Sequence, residues 1–484
     1  MKEYDALFIH PPRVFENNFW KLGERASYML VPMGLFGLAD LLDKEGFSTK
    51  MLNVPLEMHL HKDWTLEKFL EGVSAKVYAI SLHWVLNSYG AIEVANRCKK
   101  FDPNGKVVLG GFTSSYFDLE IMRNFPSIDG IIRGEAEQPI IQLVGNLSKN
   151  GPPDSIPNFT FRKNGKVVRT PITYVADSLD DINFTNVKHL DHWRDYVKLT
   201  RKTMGIPFCV MVGRGCPFNC PFCGGGQRAG KIVSGRTTTL LRSPEKVVED
   251  IARITHMANV KSIYFGHGVY PQSLAYWKKL FSTLRAENSD IGADLEIWRL
   301  PVDKTFIQDF SRTFNLDRSS LSLVLYPKRV RQLLAPLADP LINYRDEDVE
   351  FLIENAIARD IFLRLWLTVG NPFQTMKEVL EDLKFAVKLL LNRKMFGDHV
   401  SLYSTPVTIS PGSPAFQHPE RFGISLDHKS FLDFYRSFKR ESFTFGELSS
   451  IINYRTQFLS SREMKFWNTV FSLLEVPFFL SSHH

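Results

Sequence analysis

The residues with the most chemistry in them lie in one short run, Gly213-Arg-Gly-Cys216-Pro-Phe-Asn-Cys220-Pro-Phe222-Cys223. Three cysteines spaced C-x3-C-x2-C on a predicted loop can present three thiolates to three irons of a cubane cluster, leaving the fourth iron open. A zinc loop is the alternative, and it needs four protein ligands as a rule. Cys209 is the candidate fourth, but it falls inside a predicted strand, seven residues back. The chain has five cysteines in all, an odd number with three packed together. A disulfide framework would be even and dispersed, so metal binding is the reading. Cys98 and Cys209 read as small buried apolar side chains.

The elements that must position this run can be read from period. Residues 1–150 alternate strand-length apolar runs (DALFIHPP, STKMLNV, VYAISLHW, KVVLGGFT, DGIIRGE) with helix-period segments such as GLFGLADLLDKEG and SYGAIEVANRCKKF. That alternation predicts an α/β, doubly wound, flavodoxin-like parallel sheet, whose ligands sit beyond the carboxyl ends of its strands. Those ends read HPPR, SLHW, GGFTSS and RGEAE, a pocket composition. Residues 151–204 read as a linker with a small hairpin turning at KNGK. Residues 205–424 resume the alternation with six strand-helix units, which predicts a partial (β/α)6 TIM-type barrel. Barrel chemistry gathers at the strands' carboxyl ends, and the cysteine run follows the first strand directly. Ser243 and Pro244 open one of its helices as cap and first residue. Residues 425–484 read as a helical, aromatic carboxyl-terminal cap. The final SSHH has the look of a tag remnant.

Composition sets bounds on partners. Hydrophobic residues are 44% and charged residues 23% of the chain, ordinary for a globular protein. Lys and Arg number 59 against 52 for Asp and Glu, and they are dispersed, so a mixed solvated surface is expected and nucleic acid is not. No apolar run reaches the roughly 18–20 residues of a membrane span, and no leader pattern opens the chain, which makes a cytoplasmic location the expectation.

The cysteine run, with Phe222 before its third cysteine, resembles the signature of the cobalamin-binding radical S-adenosylmethionine (SAM) family, the class B methyltransferase type. GNPFQT (370–375) resembles that branch's GLPGET-type turn, and PGSPAF (411–416) its PGTPLY-type segment. HPPR (10–13), PMGLFGLADLL (32–42), GGFTSS (110–115) and GEAE (134–137) are similar to its cobalamin-binding half. Two stretches depart from the pattern: YFGHG stands where an acidic pair is usual, and LVLYPKR where a Glu-Ser motif is usual.

The resemblance implies three cofactors: a 4Fe–4S cluster on Cys216, Cys220 and Cys223, SAM, and cobalamin. It implies cobalamin contacts from His10, Pro11, His83, Trp84, Asn87, Gly110, Gly111, Thr113, Ser114, Gly134, Glu135 and Glu137. For SAM it implies Phe222, Gly266, His267, Arg299 and Gln374, with Arg299 or Lys328 as carboxylate partners. No D-x-H-x-x-G is present, so cobalt's lower face falls to the loop after the third strand, where His83 ligates it or Trp84 shields it. The implied reaction is methyl transfer from SAM through cobalamin to an unactivated carbon, in an anaerobic setting, with an electron donor such as ferredoxin or flavodoxin. The substrate is a peptide or protein side chain or a small molecule. The aromatic carboxyl-terminal segment suits a peptide grip, and a glutamine of methyl-coenzyme M reductase is one target the resemblance suggests. Its alternatives are a non-methylating cyclisation or ring contraction, and an iron–sulfur redox module without turnover.

Overall fold

The computed structural model describes residues 2–15, 31–149, 151–204, 208–391, 399–442 and 452–479. FTFGE (443–447) and the terminal SSHH lie outside them. The chain divides into two compact units, the first comprising residues 1–205, 227–240 and 428–450, the second residues 206–226, 241–427 and 451–484.

In the first unit a seven-stranded sheet runs in the order β2-β1-β3-β4-β5-β6-β7. Its strands are β1 Lys2–His10, β2 Thr49–Asn53, β3 Val73–Ser81, β4 Lys106–Gly110, β5 Gly130–Ile132, β6 Phe159–Lys163 and β7 Lys166–Arg169. The first five pair in parallel, as their near-continuous apolar sequences require of strands covered on both faces. Helices α1 (Gly34–Lys44), α2 (Val54–Leu60) and α3 (Ser88–Phe101) are among the crossovers. Helix α1 buries Leu35, Phe36, Ala39 and Leu42, an i, i+1, i+4, i+7 stripe.

The KNGK hairpin forms, with Asn164 at φ 51° and Gly165 at φ 77°, the left-handed pair a tight hairpin needs. It does more than link: β6 and β7 extend the same sheet as an antiparallel edge.

The second unit holds six parallel strands in sequential order, the partial barrel of the expected fold class. They are β8 Phe208–Val210, β9 Ser262–Phe265, β10 Gly292–Ile297, β11 Ser320–Leu325, β12 Phe362–Val369 and β13 Val400–Pro406. Helix α4 (Gln227–Ser234) belongs to the first unit, while α5 (Pro244–Ala258) starts as expected, with Ser243 as its N-cap residue and Pro244 first.

The segment read as one helical cap divides. Helix α6 (Phe431–Ser442) joins the first unit, where Phe431 and Tyr435 pack edge-on against Phe125 at 5.7 and 5.1 Å. Helix α7 (Ser461–Phe479) belongs to the second, together with a short strand at Tyr454–Thr456.

Candidate functional site

The order β2-β1-β3-β4-β5 reverses direction at β1. The loops after β1 and β3 therefore leave the sheet to opposite sides and open a crevice, the place where such sheets bind ligands. His10, almost fully buried, ends β1, and His83 follows β3. Asn87 donates from Nδ2 to the Pro11 carbonyl at 3.1 Å. Gly90 of α3 has to be glycine, since a Cβ there would stand 1.7 Å from the Pro12 carbonyl oxygen.

The GGFTSS turn is stitched to the loop after β3. Thr113 donates to the His83 carbonyl from its amide (3.2 Å) and hydroxyl (2.8 Å), and the Ser114 amide donates to Leu82 at 3.1 Å. Gly111, at φ 108°, lets the turn lie on His83, whose Cα would be 2.8 Å from an added Cβ. Gly110 is the opposite case, because a Cβ there would meet nothing within 4 Å. One glycine permits close chain approach; the other leaves bare backbone facing open space, as a bulky flat ligand requires.

Burial lowers the His83 pKa to about 4, so its imidazole is neutral at physiological pH, the form that binds metals. Trp84 packs edge-on against it at 4.3 Å and is 48% exposed.

Gly134 and Glu135 of GEAE take framework roles. The Gly134 amide donates to Ser115 Oγ at 2.9 Å, and its φ of 70° admits Ser234 of α4 against it. Glu135 binds Arg236 through both carboxylate oxygens and accepts the Ala176 amide at 2.8 Å. Glu137 is buried at the start of the helix Glu137–Lys149. The structure thus gathers His10, Pro11, His83, Asn87, Gly110, Gly111, Thr113 and Ser114 at one sheet edge and sets the Glu135 carboxylate to internal bonding.

In the second unit the cysteine loop follows β8, and all three thiols are half-buried. Burial, reinforced by the Cys220 and Cys223 sulfurs and opposed by the Phe218 amide and Arg299, pushes the Cys216 thiol pKa up to about 12; burial and Cys220 push Cys223 up to about 11. Thiols so crowded resist ionising by themselves, and bound metal supplies the charge that ionises them. The set fits a cluster bound through three thiolates.

The loop is braced on both flanks. The Ser410 and Ala415 amides, in and beside PGSPAF, donate to the Phe222 and Pro221 carbonyls at 3.0 and 2.8 Å. The His267 ring lies 3.2 Å from the Gly215 carbonyl and 4.3 Å from the Trp298 ring. Gly266, beside it, donates its amide to Val210 at 2.8 Å. PGSPAF and its neighbour Ser410 on one side, and His267 on the other, thereby act on the loop's backbone.

Arg299 is 6% exposed and reaches Cys220 Sγ from one guanidinium nitrogen at 2.7 Å, while its Nε binds Asp339 at 3.0 Å. It also lies 4.5 Å over the Phe218 ring. Burial opposes its charge, but Cys220, Tyr326 and Asp339 hold its pKa above the ordinary value. Lys328 pairs with Asp346 at the surface. The Gln374 side chain accepts the Gly370 and Asn371 amides at 2.9 and 3.1 Å and closes its own turn. Phe222 packs against Tyr326 at 5.8 Å.

The barrel strands alternate in a telling way. Leu295 and Ile297, or Leu363, Leu365 and Leu367, are fully buried, while the intervening Tyr264, Glu296, Ser322, Arg364, Trp366 and Tyr403 are only half-buried. A packed barrel interior would carry branched apolar residues at these places. Here the half-buried set is polar and aromatic and shares the strand face opposite the apolar one, the face a barrel turns to its lumen. Glu296 accepts from Tyr264 Oη and Trp298 Nε1, each at 2.9 Å, and Trp366 stacks on Tyr403 at 4.8 Å. The motif reading missed this set, although Asp294, Glu296 and Trp298 sit at period two within one strand run.

Comparison with known proteins places these features. Residues 20–144 match the family model of a B12 binding domain. An uncharacterized methyltransferase of Pyrococcus horikoshii, PH0819, is 30% identical over 48% of this chain and 48% of its own length. The anaerobic magnesium-protoporphyrin IX monomethyl ester cyclase of Rubrivivax gelatinosus is 28% identical over 51% of this chain and 42% of its own. The hopanoid C-3 methylase of Methylococcus capsulatus is 27% identical over 46% and 40%. The chain thus spans less than half the length of these curated relatives. Among solved structures, the radical SAM methyltransferase TsrM of Kitasatospora setae covers 99% of this chain and 89% of its own, at TM-score 0.68 and 15% identity. The cobalamin-dependent radical enzyme OxsB matches 97% of this chain and 66% of its own, at TM-score 0.64 and 13% identity. The chain has the fold of the cobalamin-binding radical SAM enzymes, as its motifs led one to expect. No described helix is long and apolar enough to cross a membrane.

Proposed function

We propose that this chain is a cobalamin-dependent radical SAM C-methyltransferase. The observation that carries it is the joint presence of two sites: a cysteine loop braced for a cluster with one open iron, and a sheet-edge crevice bordered by bare glycine backbone within a B12 binding domain. Cys216, Cys220 and Cys223 would hold the cluster, and His10, His83, Asn87, Gly110, Gly111, Thr113 and Ser114 would border cobalamin, with the His83 imidazole or the Trp84 ring meeting cobalt. When bound, the cluster with SAM supplies a carbon radical and cobalamin a transferable methyl group.

The residues do the rest. PGSPAF and His267 fix the cysteine loop through its carbonyls. Arg299 places a buried cation on Cys220. Phe222 and Gly266 remain the SAM contacts we favour; the Arg299 and Gln374 side chains have the other duties described above. The lumen residues exclude bulk water and orient substrate. Their chemistry, an acid held by Tyr264 and Trp298 beside a Trp366–Tyr403 stack, suits a planar or apolar substrate bearing a hydrogen-bond donor.

Of the aromatics that suggested a peptide grip, Phe431, Phe434 and Phe438 are buried in the packing of α6. That withdraws one argument for a polypeptide target, and a small molecule is the substrate class we adopt. A second reading, cyclisation without methyl transfer, is favoured by the 28% identity to the Rubrivivax cyclase. Feeding the host methyl-deuterated methionine and comparing a deletion strain by mass spectrometry tests both. Methyl transfer predicts one labelled methyl lost from a single metabolite. An unlabelled product that loses only hydrogen, or a labelled peptide, contradicts the reading as stated.

A further inference from the structure

The first unit carries a second cluster of metal-binding side chains that the proposed chemistry does not use. Glu57 lies within α2, and His61, four positions on, is the residue that caps its carboxyl end. The local chain is well determined: Asn53 caps α2 by accepting the Leu56 amide at 3.2 Å, and the His61 amide closes the end on the Glu57 carbonyl at 2.9 Å. From 135 residues further along, His192 brings its Nδ1 to 2.9 Å from Glu57 Oε1. It does so from the left-handed region, at φ 55°, immediately before the helix Trp193–Met204. The His61 and His192 rings are 5.1 Å apart, and one ligand atom from each of the three side chains lies within 4.8 Å of the others.

We infer that Glu57, His61 and His192 form a site for a divalent metal of the zinc class. Two imidazoles and one carboxylate suit zinc, nickel, cobalt or ferrous iron, whereas magnesium and calcium prefer all-oxygen shells. With bonds of about 2.0–2.2 Å in a tetrahedral shell, neighbouring ligand atoms stand about 3.3–3.6 Å apart. The Glu57–His192 pair, at 2.9 Å, needs only to open slightly, and His61, which is exposed, closes the remainder by turning its ring. Glu57 is 4% exposed, so the carboxylate is fixed while both imidazoles stay open to incoming metal. The ion would tie the segment before Trp193 to α2. Solvent would complete its coordination.

The test uses the full chain with its cluster reconstituted, so that the thiolates are occupied, and with His483 and His484 removed. After chelator treatment it is titrated with zinc sulfate. We expect about one zinc per chain at micromolar concentration, a nitrogen and oxygen shell without sulfur in zinc-edge X-ray absorption, and a rise in thermal midpoint with zinc. His61→Ala with His192→Ala, both at exposed positions, should weaken zinc binding at least tenfold with cluster iron unchanged. His61→Ala alone should weaken it less. Equal zinc binding by parent and double variant would overturn the inference, as would a sulfur shell or a parent that takes up no zinc.

Discussion

Replacing Arg299 with Met removes a buried cation from the sulfur of Cys220, a ligand of the proposed cluster, without opening a cavity. The guanidinium sits 2.7 Å from Cys220 Sγ and is locked by Asp339. A hydrogen bond to a cluster sulfur persists in both oxidation states, so only its difference between them sets the potential. An added electron roughly 5 Å from the cation, at an effective dielectric of about 20, is stabilised by roughly 3 kcal/mol. At about 59 mV per 1.4 kcal/mol that is about 140 mV, and spreading of the charge over the cluster reduces it to roughly 50–140 mV. Arg299→Met should therefore make the cluster potential more negative by that amount. Arg299→Lys keeps the charge and should recover part of it. Electron paramagnetic resonance across a potentiometric titration, without SAM, reads the midpoint directly. A full cluster in Arg299→Met whose midpoint matches the parent within about 20 mV would refute the electrostatic reasoning.

Three other perturbations test separate parts of the account. Gly110→Leu adds a side chain where a Cβ meets nothing, so stability should change by less than about 1 kcal/mol while corrinoid retention, read from the visible spectrum, is lost. Tyr454 is fully buried and its hydroxyl serves the Gly370 and Val407 carbonyls at 2.7 and 3.0 Å; Tyr454→Phe should cost about 1–3 kcal/mol in denaturant unfolding of the second unit. Burial, with Glu381 and Glu378 nearby, raises the Asp382 pKa to about 7 from 3.8. Being raised, it favours the folded state below pH 3.8, and that contribution fades as pH climbs through 7. Asp382→Asn should then stabilise the protein at pH 8 by roughly 2–4 kcal/mol, with no gain at pH 4, as denaturation midpoints at the two pH values will report.

Period and spacing carried much of this structure. Parallel strands buried on both faces read as continuous apolar runs, so β1, β3 and β12 were visible from composition. The cysteine run was legible because its spacing alone puts three thiols on one loop. Long-range partners were not. Nothing local to Arg299 says that its cation meets a sulfur rather than a ligand carboxylate, because Asp339, which aims it, lies 40 residues away. Gln374 looked like a ligand contact because its turn resembles a ligand-binding one, yet the turn's own amides claim its oxygen. GEAE puts Glu135 at a strand end, and nothing local shows that Arg236, two residues past α4 and 101 positions on, binds its carboxylate. The aromatic spacing of α6 could not distinguish a grip from a core, and it is packing against Phe117 and Phe125 that decides. The linker likewise joined the sheet because β5 left an open edge for β6.

The most direct measurement is the metal and corrinoid content of the protein purified and reconstituted without oxygen, beside its Cys216→Ala, Cys220→Ala, Cys223→Ala triple variant. The account predicts about four irons and one base-off corrinoid per parent chain, and a triple variant that loses the iron but keeps the corrinoid. A parent that binds no corrinoid, or a triple variant that retains its iron, would contradict it.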